Sequence, residues 1–229
     1  MITGHREGVI IGPTIKSALQ AIEYAQQTHK IQSEIIVVLD RPDALTKRLF
    51  ESQLGKVARI IQVDEGDPGA SRNHGVSYAN GRYVAFLDAD DLWSFNWLAN
   101  AWNASRGRPN VFWHSECNVT FGKERCLWWH IDSEGALFDE NYLQWGNYWD
   151  ALSFGPIELY REFPFRPNDL AQGFGHEDWD WNRLTYAAGI PHKPVTDTIH
   201  FKRRRSSSQM SRVEQSDALV RPLSMPRRG

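Results

Sequence analysis

The 229-residue chain is poor in cysteine: Cys117 and Cys126 are the only two, and neither has metal-type spacing partners. That excludes a disulfide framework and a cysteine-ligated zinc module, and it suits a reduced, cytoplasmic setting with structural thiols. No apolar stretch approaches the roughly 20 residues of a membrane span. The opening MITGHREG has no apolar core of a secretory signal. Phosphate-cradling glycine patterns are missing as well. Without G-x-x-x-x-G-K-[ST] a P-loop NTPase is unsupported, and without G-x-G-x-x-G after a strand so is a dinucleotide fold. Tryptophan is absent from the first 92 residues, while all ten lie between Trp93 and Trp181.

What is present fits one sizeable domain: 41% hydrophobic residues with a mean hydropathy of −0.52. The net charge of −2 hides an asymmetry. From His200 onward eight Lys or Arg face Glu214 and Asp217, a balance of +6, which leaves −8 on residues 1–199. We divide the chain into a first half (1–105), a second half of the same domain (106–205) and a basic flexible tail (206–229). The closing RPLSMPRRG reads as disordered.

The first half has a rhythm. The apolar runs EIIVVLD, ARIIQVD and YVAFLD end in Asp40, Asp64 and Asp88, 24 residues apart both times. Between them, PTIKSALQAIEYAQQ places Ile15, Leu19 and Ile22 on one helical face, with Ala18 and Ala25 beside them and Pro13 in a first turn. DALTKRLFESQ starts at a capping Asp43, with Leu45 and Leu49 four apart. GASRNHGVSYANG stops at Asn80-Gly81. Continuous apolar strands imply burial on both faces, hence an α/β fold with a mostly parallel, Rossmann-like sheet covered by helices. Ligands of open α/β sheets bind outside the strands' carboxyl ends, where these aspartates stand. Asp64 suits a turn. Asp88, Asp90 and Asp91 are too many carboxylates for one cap, and a hard cation such as Mg²⁺ or Mn²⁺ would relieve their repulsion.

GASRNHGVSYANGRYVAFLDADDLW closely resembles the central block of family 2 glycosyltransferases, which have the GT-A fold. There an Arg-Asn helix and a strand lead into an Asp-x-Asp motif. EIIVVLDRPD is similar to the family's second strand, GFGHEDWDWNRLTYAAG to its later Glu-Asp helix, and HFKRRRSSSQMS to its arginine/serine loop. TGHREG stands where Pro-x-Tyr-Asn-Glu is usual, with Glu7 matching the glutamate and His5 replacing the tyrosine. The first strand has almost no residues before this loop, so either it is short or the chain begins further upstream.

The resemblance implies an inverting, metal-dependent transfer from a nucleotide-diphosphate sugar to a hydroxyl acceptor. It implies that residues 1–105 are the nucleotide-sugar-binding half and 106–205 the acceptor-binding, catalytic half, with nucleotide contacts from Thr3, His5, Glu7, Asp40, Arg72 and Asp88, and metal coordination by Asp90 with Asp88. Asp178 would be the catalytic base. Some GT-A enzymes add a late histidine ligand, here His200, although a lone histidine at a strand end is more often structural. By the family's commonest setting, the acceptor is expected to be a glycan or a lipid-linked molecule of surface polysaccharide or glycolipid synthesis.

The second half is open to two readings at each feature. Acidic residues in HEDWDW favour a helix N-terminus whatever else they do. Glu177, Trp179 and Trp181 neighbour the implied base, and flat aromatic faces pack against sugars, but most large aromatics are packing residues. Arg203 and Arg205 offer charge-assisted contacts to diphosphate, while a charge run usually only solvates a loop. The +6 tail could rest on an anionic membrane surface at up to ~1 kcal/mol per residue. No nucleic-acid partner is expected. Two other functions stay in view: a sugar nucleotidyltransferase, which would want closer glycine spacing than HREGVIIGPT, and a non-catalytic binding module, which would be expected to lose Asp90 or Asp178.

Overall fold

The computed structural model describes residues 1–204 and 216–223. Three short-range units open the chain. Strand β1 (Ile2–Gly4) leads through a 3-10 turn into helix α1 (Ile11–His29). Strand β2 (Ile35–Asp40) leads into α2 (Ala44–Leu54), and β3 (Ala58–Val63) into α3 (Pro68–Tyr78). These strands form a fully parallel sheet in the order β3-β2-β1-β5, where β5 is Leu87–Asp88. β2 is central and its residues Ile36–Leu39 are buried, as a continuous apolar run requires. β3 lies at the edge and exposes Arg59 and Gln62.

The YVAFLD run is divided. Its first part is β4 (Tyr83–Ala85), which pairs antiparallel with β9 (Phe154–Pro156) in a second sheet. Only after Phe86 does the chain join β1 in the first sheet. The second sheet runs β4-β9-β7-β10-β6, with β6 at Leu92–Trp93, β7 at Phe112–Gly122 and β10 at His192–Arg204. Its spine, β7 beside β10, is parallel; β8 (Leu127–Trp129) and the remaining pairs are antiparallel. Helix α4 (Trp97–Ser105) covers one side, and α5 (Ile157–Glu162) and α6 (Glu177–Ala187) complete the fold.

Helix faces depart from the sequence reading. α1 buries Ile11, Thr14, Ile15, Ala18, Ala21 and Ala25, while Leu19 is 40% exposed. A stripe of small residues lets this helix lie close to the sheet, so size outranks hydrophobicity here. α2 buries Thr46, Phe50 and Leu54 instead of Leu45. Asp43 caps α2 through the Thr46 amide at 2.7 Å, and Asp67 caps α3 through the Ala70 amide at 2.8 Å. α3 ends at Tyr78 with Ala79 extended, before Asn80-Gly81; the Glu34 carboxylate takes the amides of Asn80 and Gly81 at 2.6 and 2.7 Å. Among the described residues no helix is long and apolar enough to cross a membrane. Residues 216–223 lie beside α6: Leu219 exchanges backbone hydrogen bonds with Gly173 and Gly175, and Arg183 donates to the Arg221 carbonyl. The part of the tail that is described is therefore placed, Arg221 of RPLSMPRRG included.

Candidate active site

Asp40 and Asp88 end β2 and β5 at one rim of the parallel sheet. Asp40 is buried and accepts from the Glu65 amide at 2.9 Å. The His5 ring contacts the Asp40 carbonyl, and Glu7 accepts from the His5 amide at 2.6 Å. The loop after β1 is thus tied to the end of β2. Asp64 is exposed and paired with Arg41, a turn arrangement.

The three carboxylates of DADD have separate surroundings. Asp88 accepts from Thr3 Oγ1 at 2.8 Å and from Arg72 Nη2 at 3.0 Å, both at Oδ1, which leaves Oδ2 for another cation. Burial opposes its charge, yet Arg72 and Lys202 hold its pKa below the ordinary value. Asp90 is half-buried at the same rim. Asp91 is only 3% exposed and accepts from the Arg203 amide at 2.7 Å, with Lys202 Nζ 3.7 Å away. Burial pushes its pKa well up. Asp91 fastens β10 to the motif, a structural task.

Arg72 joins the two halves. Its buried guanidinium reaches Glu177 Oε1 at 3.3 Å as well as Asp88, 105 and 16 residues away in sequence. Glu177 also accepts from Asn168 Nδ2 at 3.1 Å, and Asn168 is held by Asp67, the cap of α3. Burial, then the neighbouring Asp178, raise the Glu177 pKa to about 7. The next residue, Asp178, lines a cavity of about 90 Å³ with Trp128, Asn147, Asp150, His176, Trp179, Lys202 and Arg204. Burial raises its pKa too. His176 starts α6 in the left-handed region, at φ 61°, a conformation unfavourable for a non-glycine residue. The acidic first turn of α6 thereby faces the strand ends.

Several expected residues sit elsewhere. Trp181 is fully buried between Tyr160 and Phe165, its indole donating to the Phe163 carbonyl, so it does not meet a sugar. Trp179, two positions back, lines the cavity. His200 is buried edge-on to Trp97 at 4.6 Å, within the packing between β10 and α4. Arg203 turns its guanidinium over Phe121 at 4.9 Å, whereas Lys202 and Arg204 line the cavity. Arg205 lies outside the described residues. Sequence reasoning passed over Lys202, Asp150 and Asn168. A strand continuing to Arg204 puts residues of even number on one face, and that alternation was the available signal for Lys202. Asp150 and Asn168 carry no sequence pattern.

A parallel sheet with an aspartate rim, joined to a second mixed sheet that bears an acidic helix, defines a GT-A-type fold. Solved structures agree on the fold. Staphylococcus aureus TarS residues 1–349 with UDP-GlcNAc superposes with a TM-score of 0.60 at 17% identity, covering 92% of this chain and 60% of that one. GalNAc-T7 with UDP, GalNAc and Mn²⁺ gives 0.64 at 13% identity, covering 89% and 43%. The family description Glycosyl transferase family 2 matches residues 1–166, and the chain belongs to that family. Relatives include an uncharacterized glycosyltransferase of Nostoc sp., 29% identical over 62% of this chain, and the succinoglycan biosynthesis protein ExoO of Rhizobium meliloti, 35% identical over 32%. The matched stretches span 47% and 21% of those relatives' lengths.

Proposed function

We propose that this chain transfers a glycosyl group, with inversion, from a nucleotide-diphosphate sugar to a hydroxyl of a glycan or lipid-linked acceptor. The observation that carries this reading is the Arg72 bridge from Asp88 to Glu177, which sets Asp178 in the cavity across from the strand ends. Asp178, with its raised pKa, is placed to accept the proton of an attacking hydroxyl. Asp40, Thr3, His5 and Glu7 form the base and ribose side of the crevice. Lys202 and Arg204 bring positive charge to the cavity, where a diphosphate needs it. Trp179 and Glu177 flank the acceptor side.

The carboxylates of Asp88 and Asp90 are a hard oxygen donor set that fits Mn²⁺ or Mg²⁺. A cation there would take up charge on the departing diphosphate. GalNAc-T7 was solved with Mn²⁺, which supports the same chemistry here.

Thermal stability with UDP, GDP, CDP and dTDP, each with and without Mn²⁺, tests the donor side. A ligand at a hundred times its dissociation constant adds about 2.7 kcal/mol. One nucleotide should stabilise the chain in a metal-dependent way that Asp90→Ala abolishes. Asp178→Asn should keep that shift while transfer collapses. No shift with any nucleotide would sink the donor assignment, and transfer surviving in Asp178→Asn would sink the base.

A further inference from the structure

Beneath the cavity, three buried imidazoles, His192, His114 and His130, lead to one carboxylate, Asp150, and their hydrogen bonds admit an arrangement in which two bare nitrogens face it. Thr185 Oγ1 has the Trp181 carbonyl at 2.9 Å and the Asn182 carbonyl at 3.1 Å to donate to, and with its proton on either one it accepts from His192 Nε2, 2.8 Å away. His192 therefore carries its proton on Nε2 and presents a lone pair at Nδ1. His114 Nε2 lies 2.9 Å from that lone pair and must donate to it. The Nδ1 of His114 is then a bare lone pair, buried, with no hydrogen-bond partner. His130 resolves in the same way. Its Nδ1 donates to the Ser115 carbonyl at 2.6 Å, leaving a lone pair on Nε2.

Both lone pairs face Asp150. His130 Nε2 is 3.8 Å and His114 Nδ1 4.0 Å from Asp150 Oδ1, and the three atoms lie within 4.8 Å of one another. Asp150 is 2% exposed, and its other oxygen, Oδ2, is taken by Lys202 and Asn118 at 2.9 Å each. Three electron-rich atoms thus converge on one buried point, where the Asn118 side-chain amide, 3.3 Å from His130 Nε2, and the Leu152 backbone amide, 3.1 Å from Asp150 Oδ1, are the protons offered, one to each of two atoms, and His114 Nδ1 receives none. Such an arrangement is costly unless a cation occupies it.

We propose that His114 Nδ1, His130 Nε2 and Asp150 Oδ1 bind one Zn²⁺ ion, separate from the cation set of Asp88 and Asp90. Two imidazoles and one carboxylate suit zinc, whereas Mg²⁺ and Mn²⁺ prefer oxygen ligands. Bonds of about 2.0–2.1 Å in a tetrahedron put ligand atoms roughly 3.4 Å apart, so the two distances to Asp150 close by about half an ångström, and the two imidazole nitrogens, which lie within 4.8 Å of each other, by at most about 1.4 Å. The far ring nitrogens are already anchored, His130 on a carbonyl and His114 through His192 on Thr185, the orienting pattern of zinc-bound histidines. Asp150 also lines the 90 Å³ cavity and gives the ion a path from solvent. Lys202 is the nearest competing charge; it sits on the opposite oxygen of Asp150, and Asp91 shares it.

Cobalt reports the site directly, since tetrahedral Co²⁺ absorbs strongly in the visible. Chelator-treated Asp90→Ala protein, which lacks the crevice ligand, should take up one Co²⁺ per chain with that absorption and release it to Zn²⁺. His130→Gln should lose the signal, and Thr185→Val should weaken zinc binding about 10–100-fold. Should His130→Gln fail to fold, histidine ¹⁵N spectra of the Asp90→Ala protein decide instead: zinc should shift one Nδ1 and one Nε2 resonance. Absence of cobalt uptake by folded Asp90→Ala, or full uptake by folded His130→Gln, overturns the site. So do histidine nitrogens unmoved by zinc. Failure of nucleotide binding elsewhere would leave this site untouched.

Discussion

Removing the guanidinium of Arg72 while keeping its bulk, as in Arg72→Met, strands two carboxylates. Breaking a buried ion pair from one side costs about 3–5 kcal/mol. Two features of the structure favour the low end. Asp88 is 30% exposed and keeps Lys202 nearby, and Glu177, already at about 7, can discharge itself by taking a proton. A loss of about 3 kcal/mol follows. With a urea slope near 2 kcal/mol per molar, the unfolding midpoint should fall by about 1.5 M at neutral pH. Adding Glu177→Gln to Arg72→Met removes one stranded charge and should restore about 1 kcal/mol. Arg72→Lys should fall between, because an ammonium cannot span both carboxylates as the planar fork does. A midpoint drop under about 0.3 M in Arg72→Met, or no recovery in the double variant, would show that Arg72 does not clamp the halves.

Trp181→Ala should cost about 3–5 kcal/mol in urea unfolding, as truncations of buried aromatics do, whereas Trp179→Ala should cost far less. Glu177 gives a pH dependence. Its pKa is raised from 4.5 to about 7, so its contribution is whole below about pH 4.5 and is lost as pH rises through 7. At about 1.4 kcal/mol per unit that is about 3 kcal/mol, and Glu177→Gln should flatten this slope in unfolding curves across that range. Asp67→Ala removes the cap of α3 and the latch on Asn168 together, and should lower stability by about 2 kcal/mol in the same assay.

Strands that end in aspartate announced the parallel sheet, and Asp43 announced the start of α2, because both are local signals. The division of YVAFLD at Phe86 was hidden: an apolar run reads alike whether one sheet takes it or two. The buried face of α1 was misread through Leu19, since hydrophobicity ranks leucine above the alanines that close approach requires. Trp179 and Trp181 differ by two helical steps, about 200° around the axis, so one faces the cavity and the other the core. Nothing in HEDWDW says which. Arg72 could be placed on its helix, but its reach to Glu177 spans 105 residues and exists only in the folded chain.

The passage of the chain from one sheet to the other at Phe86 also governs how the molecule can deform. A single residue separates β4 from β5, and one residue spans at most about 3.6 Å. Phe86 is itself fully buried, with Tyr160 and Phe165 against its ring. So short a tether, packed on all sides, leaves the sheets no room to swing apart like the covers of a book. Any motion that widens the crevice is left to the loops of its rim, over a frame whose two sheets stay at one spacing.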